Sequence, residues 1–91
     1  SAVNMLPGLI FSNLYPNPAG DHMTIDLLLA EHQKLDMTIV DAQGRQLSHQ
    51  QEQGSELHVT WNLQTLSAGF YWLHIRSEDG LMVIPFRKEG K

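Results

Sequence analysis

The sequence predicts an all-β fold, an antiparallel sandwich or barrel of about seven short strands, on three observations. Apolar and polar residues alternate in short runs, as they do in strands that bury one face. Gly, Pro, Asn and Asp residues separate these runs and indicate turns. Helix signals are weak, and a helix over residues 27–35 conflicts with the alternation on both sides of it.

Each strand follows from the local pattern of side chains. Alternation is clearest in 23–29 and 57–63, which should each bury one face. The Gln-rich run 45–52 is polar and predicts an edge strand, and Pro85 favours an edge position for the last strand, because proline cannot donate to a ladder. The predicted strands are Phe11–Tyr15, Met23–Leu29, Leu35–Ile39, Arg45–Glu52, Leu57–Leu63, Tyr71–Ile75 and Leu81–Phe86.

The predicted organisation is a linker over residues 1–10, interrupted by Pro7-Gly8, followed by one β domain over residues 11–91. A chain of 91 residues can close a modest core without a metal or a disulfide, and it contains no cysteine. The start lacks the basic and apolar regions of a signal peptide. The absence of an initiator Met suggests a fragment from the end of a longer protein.

Charge is distributed unevenly along the chain. The first 86 residues carry three basic and nine acidic side chains, whereas Arg87, Lys88 and Lys91 make the ending basic. An acidic body repels nucleic acid, so no nucleic-acid partner is expected. No apolar run is long enough for a membrane helix.

The segment Asp41-Ala42-Gln43-Gly44 predicts a type I turn. The Asp41 carboxylate should accept from the backbone two residues on, and Gly44 should be left-handed, so that Arg45 begins the return strand. Gln53-Gly54 and Asp79-Gly80 predict two further hairpins.

The segment Leu66–Tyr71 predicts a connection that closes one end of the core and leads into the next strand. Leu66 should close the core, and Gly69 should permit a tight backbone approach. Tyr71 is placed like the tyrosine of a tyrosine corner, whose hydroxyl bonds upstream backbone.

Catalytic chemistry is not indicated, and the protein is predicted not to be an enzyme. The five histidines form no zinc-type spacing, and on alternation His22, His58 and His74 point outward. There is no nucleophile elbow and no phosphate-binding glycine loop, so no cofactor or metal is expected.

Aromatic residues leave two other functions open. Phe70 and Trp72 lie out of phase with Tyr71, so they face the other side of the sheet if Tyr71 is buried. One alternative is a carbohydrate-binding module of a secreted hydrolase, with Trp61, Trp72 and Phe70 as a stacking platform. The other is a structural immunoglobulin-like spacer or adhesin module.

Four motifs in order carry a resemblance to a known family. They are Leu-Tyr-Pro-Asn-Pro-Ala at 14–19, Asp-x-x-Gly-Arg at 41–45, Leu-x-x-Gly-x-Tyr at 66–71 and the basic ending. Over about residues 12–91 the chain resembles the C-terminal sorting domain of type IX secretion. The resemblance implies a seven-stranded immunoglobulin-like sandwich at the C-terminus of a cargo protein of a Gram-negative bacterium. It also implies passage through the periplasm, recognition by an outer-membrane translocon, and removal by a sortase-like cysteine peptidase. The cargo is then released or held at the cell surface.

The recognition residues that the resemblance implies are Tyr15, Pro16, Asn17, Pro18, Gly44, Arg45, Gly69, Tyr71, Arg87, Lys88 and Lys91. The ending departs from the family's Lys-aromatic-aliphatic-Lys pattern, which is represented only by Phe86-Arg87-Lys88. The implied partners are the translocon, the peptidase and a fused N-terminal cargo, with the cut in residues 1–10 or upstream. Edge strands would also permit a weak homodimer. The cargo and the cut site stay open.

Overall fold

The computed structural model of the protein describes residues 3–90, with side chains from Leu6 onward. Its strands are β1 (Val3–Met5), β2 (Leu9–Tyr15), β3 (His22–Asp41), β4 (Gln46–Asn62), β5 (Gly69–Arg76) and β6 (Leu81–Lys88). They form one antiparallel sheet in the order β1-β6-β5-β3-β2, and β4 pairs with β3. The predicted all-β antiparallel class is confirmed.

The strand count differs from the predicted seven because β3 and β4 each span two predicted strands. The polar Glu31-His32-Gln33 segment was predicted to be a loop, but it continues β3 through an irregularity. Between the pairs Leu28–Glu56 and Gln33–Gly54, residues 29–32 of β3 face a single residue of β4. The extra residues bend the strand without ending it.

The predicted hairpin at Gln53-Gly54 is wrong for the same reason. Gly54 lies inside β4, where it pairs with Gln33 opposite the irregularity of β3, and its φ of 145° is accessible mainly to glycine. The hairpin at Asp79-Gly80 is confirmed, since it joins β5 to β6 and the Ser77 N–H donates to the Gly80 carbonyl at 2.9 Å.

The bend curls the sheet around one core. The first half of β3 pairs with β2 and with the second half of β4, whereas the second half of β3 pairs with β5 and with the first half of β4. Within residues 3–90 the Gln-rich half of β4 thus has a neighbour on one side only, as predicted for an edge strand. The largest fully buried side chains are Met23, Ile25, Leu27, Leu35, Met37, Ile39, Leu63, Leu73, Ile75 and Met82.

The predicted linker contains residues of the sheet. Val3–Met5 pair with Val83–Leu81 of β6, Leu6 is 4% exposed, and β2 begins at Leu9 after the Pro7-Gly8 turn. Strand β1 therefore covers the start of β6, which was predicted to be an edge strand. Pro85 lies beyond the last of these pairs and does not interrupt them.

Candidate functional site

Four sequence motifs meet at one end of the sheet. Asp41 at the end of β3 pairs with Tyr71, and Tyr71 pairs with Phe86 on β6. Two residues further along β6, Lys88 pairs with Gly69 and forms a parallel bridge with Ala19. We call this region the motif end and define it as residues 15–20, 41–45, 66–71 and 86–90.

The entry motif is bonded to the end of β6, up to 70 residues later in the chain. The N–H of Ala19 donates to the carbonyl of Arg87 at 2.7 Å, and the N–H of Glu89 donates to the carbonyl of Ala19 at 2.8 Å. The side-chain carbonyl of Asn17 accepts a longer bond of 3.5 Å from the Arg87 N–H. Tyr15, Pro16 and Pro18 are exposed beside this junction. The entry motif therefore fixes the position of the basic ending.

The turn at 41–45 is organised around the Asp41 carboxylate. Its Oδ1 accepts bonds from the N–H groups of Gln43 and Arg45, both at 2.9 Å, and its Oδ2 pairs with the Arg45 Nε at 2.8 Å. Partial burial alone would raise the pKa of Asp41, but the bonds from Arg45 and Gln43 outweigh it and hold that pKa below 3.8. Gly44 has φ 83°, so the predicted turn and its left-handed glycine are confirmed. The turn also orients the Arg45 side chain, which is 75% exposed.

The segment 66–71 closes the same end. The Tyr71 hydroxyl donates to the Ser67 carbonyl at 2.7 Å, which confirms the predicted bond to upstream backbone. The Tyr71 ring stacks on Phe86 with a centroid distance of 5.7 Å. Gly69 has φ 154°, yet a Cβ there would meet no atom within 4 Å. The tight approach lies instead at Gly90, where a Cβ would be 2.9 Å from the Ala68 Cβ.

The basic ending is part of β6 as far as Lys88 and is not an exposed tail there. Arg87 is exposed and its Nη2 pairs with Glu89 Oε2 at 3.3 Å, whereas Lys88 is only 6% exposed. Lys91 lies outside the described residues. Burial of Lys88 follows from the phase of β6, because Met82, Phe86 and Lys88 point to the same face. Continuing the alternation through Phe86 would have identified it from sequence.

A polar network that sequence reasoning missed lies on the outer face of β2, β3 and β4. The Tyr15 hydroxyl donates to Asp26 Oδ2 at 2.9 Å, and the His58 Nδ1 donates to Asp26 Oδ1 at 2.5 Å. The hydrogen bonds from His58 and Tyr15 lower the pKa of Asp26, and the bond to Asp26 raises the pKa of Tyr15. Asp26 and His58 are 32 residues apart and meet through strand register, which no local pattern signals.

The aromatic residues do not form the three-ring platform considered above. Trp61 is 5% exposed and belongs to the core, while Phe70 is 64% exposed and Trp72 is half-buried. The Trp61 indole N–H has no hydrogen-bond partner among the described residues. Of these three rings, Phe70 and Trp72 lie on the same outer face of β5.

Two open cavities lie at opposite ends of the sheet. One of about 530 Å³ is part of the motif end, and the other, of about 910 Å³, is lined largely by polar residues near Pro7 and Arg76. Within residues 3–90 no group of three or more His, Asp or Glu is placed to hold a metal ion. Nor does this part of the chain contain a helix that is long and apolar enough to cross a membrane.

Comparison with known proteins gives one family. A family model described as the secretion system C-terminal sorting domain matches residues 13–85. The match contains the entry, central and late motifs and ends before Arg87. No curated protein and no solved structure matches the chain. Because the matched residues cover most of the chain, and three of its four motifs, the protein belongs to the family of type IX secretion C-terminal sorting domains.

Proposed function

We propose that the protein is the sorting signal of a larger cargo and that an outer-membrane translocon recognises it through the motif end. Membership of the family implies export to the outer-membrane surface or the extracellular space. The observation that carries the proposal is that all four motifs, which are distant in sequence, meet in one continuous region. A signal read by another protein needs such a surface, and it needs no catalytic group.

The later steps follow the resemblance: transit through the periplasm of a Gram-negative bacterium, removal by a sortase-like cysteine peptidase, and release or surface anchoring of the cargo. A cut within β1 would require that strand to leave β6, because a strand held in a sheet cannot enter a peptidase cleft in the same conformation. Among the described residues β1 pairs with β6 at three positions, so its local release should cost little free energy.

The immunoglobulin-like sandwich remains part of this proposal. Counted by halves, β3 and β4 supply four strands, so that together with β2, β5 and β6 they make seven besides β1. The hydroxyl bond of Tyr71 to Ser67 supports the same assignment, since it has the form of a tyrosine corner.

The test fuses the chain to the C-terminus of an exported fluorescent reporter in a strain with type IX secretion and in a translocon-deleted strain. We expect reporter outside the first strain, freed of the domain, and periplasmic reporter in the second. Folded, uncleaved reporter in the periplasm of both strains would contradict the proposal.

A matched pair of variants then locates the recognition surface. Arg87 at the motif end and Arg76 at the opposite end are both exposed on outer strand faces, so Arg87→Gln and Arg76→Gln remove the same charge. We expect Arg87→Gln to lower secretion and Arg76→Gln to leave it unchanged. Deleting residues 86–91 is a poorer test, because Phe86 is a core residue whose loss unfolds the domain.

Two other functions make different predictions. A carbohydrate-binding module would be retained on an insoluble polysaccharide through Phe70 and Trp72. A spacer or adhesin module would tolerate a folded domain placed after residue 91, whereas a sorting signal read at the motif end would be blocked by it.

A further inference from the structure

A lysine side chain at the motif end is buried with few partners. Lys88 is 6% exposed, and its Nζ donates one hydrogen bond, at 3.0 Å, to the carbonyl of the neighbouring Glu89. Within residues 3–90 no carboxylate oxygen lies within 4.0 Å of this ammonium. An ammonium has three donors, and buried lysines are normally paired with an anion. Two donors of Lys88 are therefore left for a partner outside the described chain.

This lysine lines the cavity of about 530 Å³ at the motif end. The cavity lies between the last residues of β6 and the 66–68 segment, and Gln64 and Ser67 supply further polar side chains. Gly90 forms one wall, where its close approach to Ala68 leaves no room for a Cβ. The end of β6 and the 66–68 segment thus bound the cavity that Lys88 lines.

We propose that this cavity receives the carboxylate of a Glu or Asp side chain from a protein of the secretion machinery, with Lys88 as its counter-ion. The identity of that protein rests on the function proposed above, whereas the binding of a carboxylate does not. A carboxylate has two oxygens for the two remaining donors and a single charge to match the single ammonium. It completes a pairing that the described residues leave unfinished.

The other charge in the cavity sets the selectivity. Asp21 lines the same cavity as Lys88 and forms no ion pair within residues 3–90. Its carboxylate opposes any anion that enters, and it opposes a doubly charged phosphate more than a singly charged carboxylate. The charge of Asp21 therefore favours an acidic side chain over a phosphate group. It also predicts that Asp21→Asn tightens the binding of a carboxylate.

The test titrates the purified, isotope-labelled protein with N-acetylglutamate amide and follows backbone amide shifts by NMR. The matched probe is N-acetylglutamine amide, which has the same shape without the charge. We expect saturable shifts at Ser67, Ala68 and Gly90 with the first probe only. Lys88→Gln should weaken binding at least about ten-fold, and Asp21→Asn should tighten it about three-fold. Arg76→Gln should change the affinity by less than about two-fold, because that exposed side chain lies at the opposite end of the sheet.

Equal shifts with both probes, or shifts confined to residues far from the cavity, would overturn the proposal. Saturable shifts with inorganic phosphate but not with the carboxylate would overturn the choice of partner. If Lys88→Gln fails to fold, the tightening by Asp21→Asn still decides, since no general loss of structure increases affinity. The titration needs no translocon, so its failure is distinct from a failure of reporter secretion.

Discussion

The substitution Tyr71→Phe isolates one hydrogen bond at the motif end. It removes only the hydroxyl that donates to the Ser67 carbonyl at 2.7 Å, and it keeps the ring that stacks on Phe86. The ring is 7% exposed, so the loss falls on a partly buried bond whose acceptor is left with less solvation. We expect a cost of about 1.5 kcal/mol in the free energy of unfolding, within the range for a bond whose partner remains.

The expected change in melting temperature follows from chain length. An unfolding entropy of about 2.1 cal/mol/K per residue gives roughly 190 cal/mol/K for the 91-residue chain. A cost of about 1.5 kcal/mol then lowers Tm by about 8 °C. The assay is a thermal melt followed by circular dichroism or calorimetry, with both variants at the same protein concentration.

Tyr15→Phe is the matched control. It also removes one hydroxyl bond, at 2.9 Å to the Asp26 carboxylate, but on an exposed face where water replaces the lost partner. Its Tm should stay within about 2 °C of the parent protein. The reasoning fails if the two variants lose the same Tm, or if Tyr71→Phe melts with the parent protein.

Three further substitutions test other features. Gly69→Val should cost about 1–3 kcal/mol, because φ 154° strains a branched residue although the space is open, and an unchanged melt would refute this. Gly90→Ala should increase amide hydrogen exchange after β6, since its Cβ would lie 2.9 Å from that of Ala68; Gly20→Ala, with no atom within 4 Å, should not. The pKa of Asp26 is lowered on folding, so the bonds to its carboxylate stabilise the fold above pH 3.8 and are lost as pH falls through the folded-state pKa. Asp26→Asn should therefore flatten the loss of Tm between about pH 4 and pH 2, and an equally steep loss would contradict the assignment.

Local patterns predicted the fold class and the faces of the strands. The alternation that begins at Met23 and at Leu57 correctly predicted which face of each strand is buried. The Asp41 turn was also predicted correctly, including the hydrogen bond from the Gln43 N–H to the Asp41 carboxylate. A polar break, however, does not distinguish a loop from a bulge. Glu31-His32-Gln33 and Gly54 were therefore assigned to connections although the chain continues as strand.

The individual motifs of the candidate site could be predicted from the sequence, but their meeting at one end of the sheet could not. Each motif forms its own local structure, but their meeting depends on the register of β3, β5 and β6. The same is true of Asp26 and His58, which only the pairing of β3 with β4 brings together. The burial of Lys88 could have been predicted from the sequence, since Lys88 lies two residues after the buried Phe86 and faces the same side of the strand.

The bonds between Ala19 and the backbone of Arg87 and Glu89 exist only when both segments are present and the sheet between them has formed. An unfolded precursor contains every motif but not their junction. A receptor that binds the junction therefore responds to conformation as well as to sequence, and it ignores chains that stop before Arg87. Recognition of the junction therefore selects chains in which both segments are present and the sheet between them has folded.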